Sequence, residues 1–183
     1  CLSIIDHHLV DGTLTLVVRM KKAGVNKSPF IPENQFAKTM LNLFNNEKSA
    51  DIVFEVGDDE MKSSVGLSRY HAHRLILQEC APELCPPSDE ENDITNIPIT
   101  DVDPDIFHHL LYYIYGGKVD EKELKNCAKE IMDAADKYGV INLKLEAEAV
   151  YVDSTEITVD NAIENLIYAD TKNCALLKEA VMD

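Results

Sequence analysis

Residues 69 to 80, "RYHAHRLILQEC", place His71 and His73 one residue apart and Cys80 seven residues beyond the second histidine. Imidazole and thiolate are zinc ligands, and a cysteine with a histidine is also a nucleophile with its base. A closed zinc site needs four ligands at about 2.0–2.3 Å. Cys80 and Cys85 could supply two of them, but the run from His73 to Cys80 has helical periodicity. That periodicity carries Cys80 two turns away from His73. No serine, cysteine or carboxylate pair nearby supplies a nucleophile and its base. The histidines read as architecture, with His73 holding a hairpin through hydrogen bonds. Neither a catalytic residue nor a metal or other cofactor is expected.

The remaining polar clusters give no stronger chemistry. The acidic runs "GDDE" (57–60) and "SDEEND" (88–93) lack the ligand spacing of a calcium loop and read as solvated faces. His7–His8 and His108–His109 read as exposed pairs. Asp and Glu number 33 against 17 Lys and Arg, for a formal charge of -16. Such a surface repels phosphate backbones, and no basic stripe offsets it, so nucleic acid is excluded as a partner. No window approaches the about 18 uncharged apolar residues of a membrane span, and no signal peptide is visible. The five cysteines (1, 80, 85, 127 and 174) are scattered and contain no CxxC. They read as reduced thiols of a nuclear or cytoplasmic protein. Because the chain opens on Cys1, it is expected to be a piece of a longer protein.

These residues need a scaffold, and the hydrophobic pattern outlines one. "GTLTLVVRMK" (12–21) alternates with period two as a strand, without an obvious neighbour in the chain. A linker with Gly24, Pro29 and Pro32 follows. "ENQFAKTMLNLFNNE" sets Phe36, Met40, Leu43 and Phe44 at helical spacing. "ADIVFEVG" reads as a strand and "HRLILQEC" as a helix with Leu75, Ile76 and Leu77 turned to a core. "TNIPI" reads as a short strand whose Pro98 belongs on an edge. "DVDPDIFHHLLYYIYGG" is a helix with Asp103 as N-cap, Pro104 at its first position and a glycine stop. "EKELKNCAKEIMDAADKYG", "INLKLEAEAVYV", "TVDNAIENLIYAD" (N-cap Thr158) and "KNCALLKEAVMD" continue as helices. Short strands followed by a run of helices predict an α+β class with a small β-sheet flanked by helices.

In this order, "ADIVFEVG", "YHAHRLIL", "IPITDVDPDIFHHLLYYIYGGKV" and "AKEIMDAADKYGV" resemble a BTB/POZ domain over residues 50 to about 150. The region from Thr158 onward resembles the 3-box or BACK helices that follow such domains in cullin adaptors. Residues 12–21 with the linker resemble the end of a MATH domain. The resemblance implies a MATH-like tail and linker over 1–33, a BTB/POZ domain with an N-terminal dimerisation helix over 34–152, and truncated 3-box/BACK-like helices over 153–183. It implies a non-enzymatic homodimer, open to higher assembly, that adapts substrates to a cullin-RING ubiquitin ligase. A dimerisation scaffold that does not bind a cullin is the alternative.

The same resemblance supplies the expected surfaces. Phe36, Met40, Leu43 and Phe44 are expected at the dimer interface, because an apolar helix left bare is seldom tolerated in a monomer. Asp51 and Arg74 are expected there as a buried charge pair, with a surface ion pair as the alternative. Leu84, Tyr112, Tyr115, Ile163 and Leu166 are expected to face the cullin N-terminal domain. The substrate would bind upstream of this chain. One departure stands out: "APELCPPSDEEND" has Leu84 where an aromatic residue is common, is about three residues short, and lacks the usual hydrophobic-x-Glu triplet.

Overall fold

The structure is a computed structural model that describes residues 9–10, 13–14, 35–57, 67–85 and 95–182. The chain divides into two units, Cys1–Glu33 and Asn34–Asp183. In the first, β1 (Leu9–Val10) pairs antiparallel with β2 (Thr13–Leu14), Leu9 opposite Leu14 and Val10 opposite Thr13. The start of the expected strand therefore has a neighbour just before it in the chain. The rest of that strand, the linker and both acidic runs beyond Gly57 lie outside the described residues.

The second unit opens with helix α1 (Gln35–Leu41) and is built on a three-stranded sheet in the order β4-β3-β5. Central β3 (Ile52–Val56) runs antiparallel to β4 (Ser68–Ala72) and parallel to β5 (Thr95–Ile99). Its sequence IVFEV alternates, so Ile52, Phe54 and Val56 point into the core while Val53 and Glu55 are half-buried on the other face. Pro98 has no N–H to donate to a ladder and lies on edge strand β5, as its chemistry requires.

The helices cover the inner face. They are α2 (Arg74–Cys80), a 3-10 turn at Pro82–Leu84, α3 (Pro104–Ile114), α4 (Glu121–Asn126), α5 (Ala128–Lys137), α6 (Ile141–Ser154), α7 (Val159–Thr171) and α8 (Ala175–Met182). Asp103 caps α3 by accepting from the Asp105 N–H at 2.8 Å, and Asp120 caps α4 by accepting from Lys122 at 2.9 Å. Asn161 reaches back to the Thr158 N–H at 2.9 Å to fix the start of α7. Gly116, at φ 83°, turns the chain out of α3 in a conformation that only glycine adopts freely. Phe107 on α3 meets Phe54 edge-on at 5.0 Å, and Leu110, Leu111, Ile131, Met132, Leu143 and Ala147 complete the interior. Among the described residues no helix is long and apolar enough to cross a membrane.

Three local expectations change. Leu43 and Phe44 lie beyond the end of α1, in turns that run up to Asn45 at φ 52°. Leu75 points outward, and Leu77 alone of α2 is buried. The single helix expected over 121–138 breaks at Cys127 (φ -126°), which ends α4 and begins α5.

One buried charge has a structural task. Glu148 on α6 is nearly fully buried, and its Oε1 accepts from the Leu177 N–H at 3.0 Å. Leu177 is the third residue of α8, so the carboxylate satisfies an N-terminal amide and complements the helix dipole. Glu148→Ala leaves that amide unpaired and is expected to cost about 1–3 kcal/mol in chemical unfolding. Glu148→Gln, which keeps an acceptor, is expected to recover most of the loss; equal losses in both variants would contradict this role.

Candidate interaction surfaces

His73 stands where β4 ends and α2 begins, and it is tied to the far end of α3. The Tyr115 hydroxyl accepts from the His73 backbone N–H at 2.9 Å and lies 2.8 Å from Nδ1. Tyr115 is fully buried and its hydroxyl proton needs an acceptor, which Nδ1 supplies. Nε2 then carries the imidazole proton and donates to Ser49 Oγ at 2.8 Å. Both ring nitrogens are therefore engaged with oxygen partners. Among the described residues no group of three or more His, Cys, Asp or Glu side chains is placed to hold a metal. Burial lowers the His73 pKa below 6.5, against a smaller opposing pull from Asp51. Burial likewise pushes the Tyr115 hydroxyl up to about 12, so both groups are neutral at pH 7.

Neighbouring bonds extend this closure. Asn45 Oδ1 accepts from the His71 N–H at 2.8 Å on the outer edge of β4. Phe44 packs edge-on against His108, Tyr112 and Tyr115 at 5.3, 5.2 and 5.9 Å. His108 is thus half-buried and stacked on Tyr112 at 6.2 Å, not an exposed bystander. Burial, followed by His109, lowers its pKa as well.

The residues expected at a dimer interface separate into two kinds. Phe36 is 71 % exposed on α1, with Met40 half-buried one turn later. Leu43 and Phe44 are half-buried and pack against the core of the same chain, because the turns after α1 fold back onto α3. Asp51 and Arg74 do come together, but Asp51 is exposed and its Oδ1 accepts from the Arg74 backbone N–H at 2.7 Å. The Arg74 guanidinium donates to Thr95 Oγ1 at 2.8 Å. Within the single chain, Asp51 thus places a carboxylate at the first turn of α2.

The residues expected to face a cullin also divide. Leu84 is 4 % exposed and Tyr115 0 %, so both belong to the interior and neither can present a side chain to a partner. Leu84 is turned in by the 3-10 turn, and Tyr115 by its bond to His73. Tyr112 is half-buried against Phe44 and His108. Ile163 and Leu166 are exposed on α7, where Val159 (91 %) and Ile167 continue the apolar stripe at four-residue spacing.

A second exposed apolar site escaped the sequence reading. Cys80, Tyr113, Ile114, Gly139, Val140, Ile141 and Asn142 line a cleft of about 440 Å³, with Ile141 67 % exposed. The Tyr113 hydroxyl donates to Glu146 at 2.8 Å, and burial together with that carboxylate pushes its pKa up to about 12. The signal was present in "VINLKLEA": Ile141 and Leu145 alternate with the buried Leu143 and Ala147. A helix with apolar residues at both i and i+2 has two apolar faces, and one core cannot cover both.

The BTB/POZ domain family model matches residues 40–155. Among curated proteins, "BTB/POZ and MATH domain-containing protein 4" of Arabidopsis thaliana is 28 % identical over 171 residues, covering 83 % of this chain and 34 % of the relative. The chain thus spans about a third of that relative's length.

Tyr115→Phe keeps the packing but orphans the His73 amide, and is expected to cost about 1–3 kcal/mol in chemical unfolding. An unchanged unfolding midpoint would show that the hydroxyl closes nothing. The pH dependence follows from the depressed folded pKa values of His73 and His108. The unfolded state binds protons first, so their contribution is full above about pH 6.5 and is lost as pH falls through the folded pKa values. Denaturation midpoints are expected to fall between pH 7 and pH 5, less steeply in His73→Gln.

Proposed function

The chain belongs to the BTB/POZ family, and from that premise we propose that it is a homodimeric protein-interaction module that adapts substrates to a cullin-RING ubiquitin ligase. The observation that carries this reading is the presence of exposed apolar side chains on separate elements of one folded unit. Phe36 and Met40 on α1 suit a self-complementary, two-fold contact. The Tyr113–Ile141 cleft and the Val159–Ile163–Ile167 stripe of α7 suit the N-terminal domain of a cullin. The module performs no chemistry of its own. Dimerisation acts by raising the effective concentration of bound substrate near the ligase.

Residues 1–33 are the tail and linker of an upstream MATH-like domain in this reading, and that domain recognises the substrate. The name of the Arabidopsis relative, which pairs BTB/POZ with MATH, supports this. The BTB/POZ domain proper is assigned to 34–152, with 3-box/BACK-like helices over 153–183; the boundary falls in the last turn of α6. The described cysteines are free thiols, in keeping with residence in the nucleus or cytoplasm.

A second reading is a dimeric scaffold without a cullin. The interior position of Leu84 favours it, because the turn after α2 then offers no apolar side chain at that point. Calorimetry with the N-terminal domain of a BTB-class cullin separates the two. The adaptor reading expects sub-micromolar binding, weakened about tenfold or more by Ile141→Asp or Ile163→Asp. An intact dimer that does not bind supports the scaffold. Sedimentation is expected to give a dimer for the unaltered chain and a monomer for Phe36→Asp/Met40→Asp; a dimer in the double variant would show that α1 does not bridge protomers.

A further inference from the structure

Helix α7 carries exposed apolar residues yet buries little of its own: only Asn165 and Ala169 are buried. It packs against α8 and adds Ala169 to the core, and a set of polar contacts ties it to α5 and α6. Lys129 on α5 lies over the rings of Tyr151 on α6 and Tyr168 on α7, 5.3 Å from each ring centre. The same ammonium is 3.3 Å from Glu164 Oε1 on α7. Asp133, one turn further along α5, accepts from the Tyr168 hydroxyl at 3.0 Å and lies 3.0 Å from Lys172 Nζ, just past the end of α7. Tyr151 on α6 donates to the buried Asn165 at 2.9 Å.

The pattern along α5 explains the arrangement. Ala128, Ile131, Met132, Ala134 and Ala135 face the core, which leaves Lys129, Asp133 and Asp136 on the side that meets the end of α7. We propose that Lys129, clamped between Tyr151 and Tyr168 and paired with Glu164, is a positioning residue that docks α7 and so sets the direction of its Val159–Ile163–Ile167 stripe. A cation between two aromatic faces is attracted to both, and no uncharged side chain reproduces that. Glu164 adds an exposed ion pair whose strength depends on salt. The docking of α7 is therefore tunable by ionic strength, whereas the apolar sheet-and-helix core is not. The consequence for a partner rests on the adaptor reading; the docking itself does not.

The test is hydrogen exchange followed by mass spectrometry on the whole chain in its native oligomeric state, at low and high salt. Lys129→Met keeps the apolar stem and removes the charge. It is expected to speed exchange of the Val159–Thr171 amides about tenfold while those of β3 and α3 stay as they were. Lys129→Arg retains a cation that stacks on tyrosine and pairs with Glu164, and is expected to restore protection. High salt is expected to move the unaltered chain part of the way toward Lys129→Met. Unchanged α7 exchange in Lys129→Met, or an equal rise in β3 and α3, would overturn the proposal. Cullin calorimetry on the same samples judges the adaptor reading separately: exchange decides the clamp, and binding by the unaltered chain decides the partner.

Discussion

The domain depends on one hydroxyl buried between an amide and an imidazole. Tyr115 closes α3, and its oxygen meets the N–H and the Nδ1 of His73, where β4 gives way to α2. At that point the chain turns from strand to helix, and the first amides of α2 have no partner within the helix. The tyrosine supplies one partner from across the core, and Asp51 supplies the next by accepting from Arg74. A buried donor left unpaired costs more than a made bond contributes, so this closure acts as a constraint on the fold more than as a source of stability. Ser49 at Nε2 and Phe44 against the Tyr115 ring extend it to the segment that follows α1.

This frame sets α1 and the Tyr113–Ile141 cleft. The turns after α1 are held down by Phe44 and Asn45, which leaves Phe36 outward on the helix. Between α2, the end of α3 and the start of α6 lies the Tyr113–Ile141 cleft, bounded by elements that the tyrosine closure fixes. Helix α7 is different in kind. Beside its packing on α8, it is tied to α5 and α6 through Lys129, Asp133 and Asn165, groups whose interactions are directional and partly screened by salt. The sheet-and-helix core is thus apolar, while the contacts of α7 with α5 and α6 are polar and adjustable.

Much of the architecture was legible because it rests on local physics. Alternation in IVFEV, the Asp103–Pro104 start of α3 and the edge position of Pro98 are each properties of a few adjacent residues. What escaped was decided at a distance. Periodicity extends α1 through Leu43 and Phe44, but the helix ends at Leu41 and turns lead on to Asn45, whose side chain accepts from the His71 amide. Tyr112, Tyr113 and Tyr115 look alike as an aromatic cluster, yet only Tyr115 meets His73 and is buried for it. Nothing in the residues next to Leu84 marks it off from a surface leucine; the 3-10 turn after α2 is what directs it inward. Ile141 was hidden by the doubly apolar pattern of α6, and Lys129 by its ordinary appearance on a charged helix. The family resemblance matches the fold, while Leu84 and Tyr115, expected on a surface, lie in the interior.

Nitrogen-15 NMR of the His73 ring at neutral pH tests the central closure most directly. The account predicts a neutral imidazole protonated at Nε2, with Nδ1 unprotonated and accepting from the Tyr115 hydroxyl, and loss of that tautomer in Tyr115→Phe. A ring protonated at Nδ1, or already charged at pH 7, would contradict it, because the tyrosine could then not hold its place between the amide and the ring.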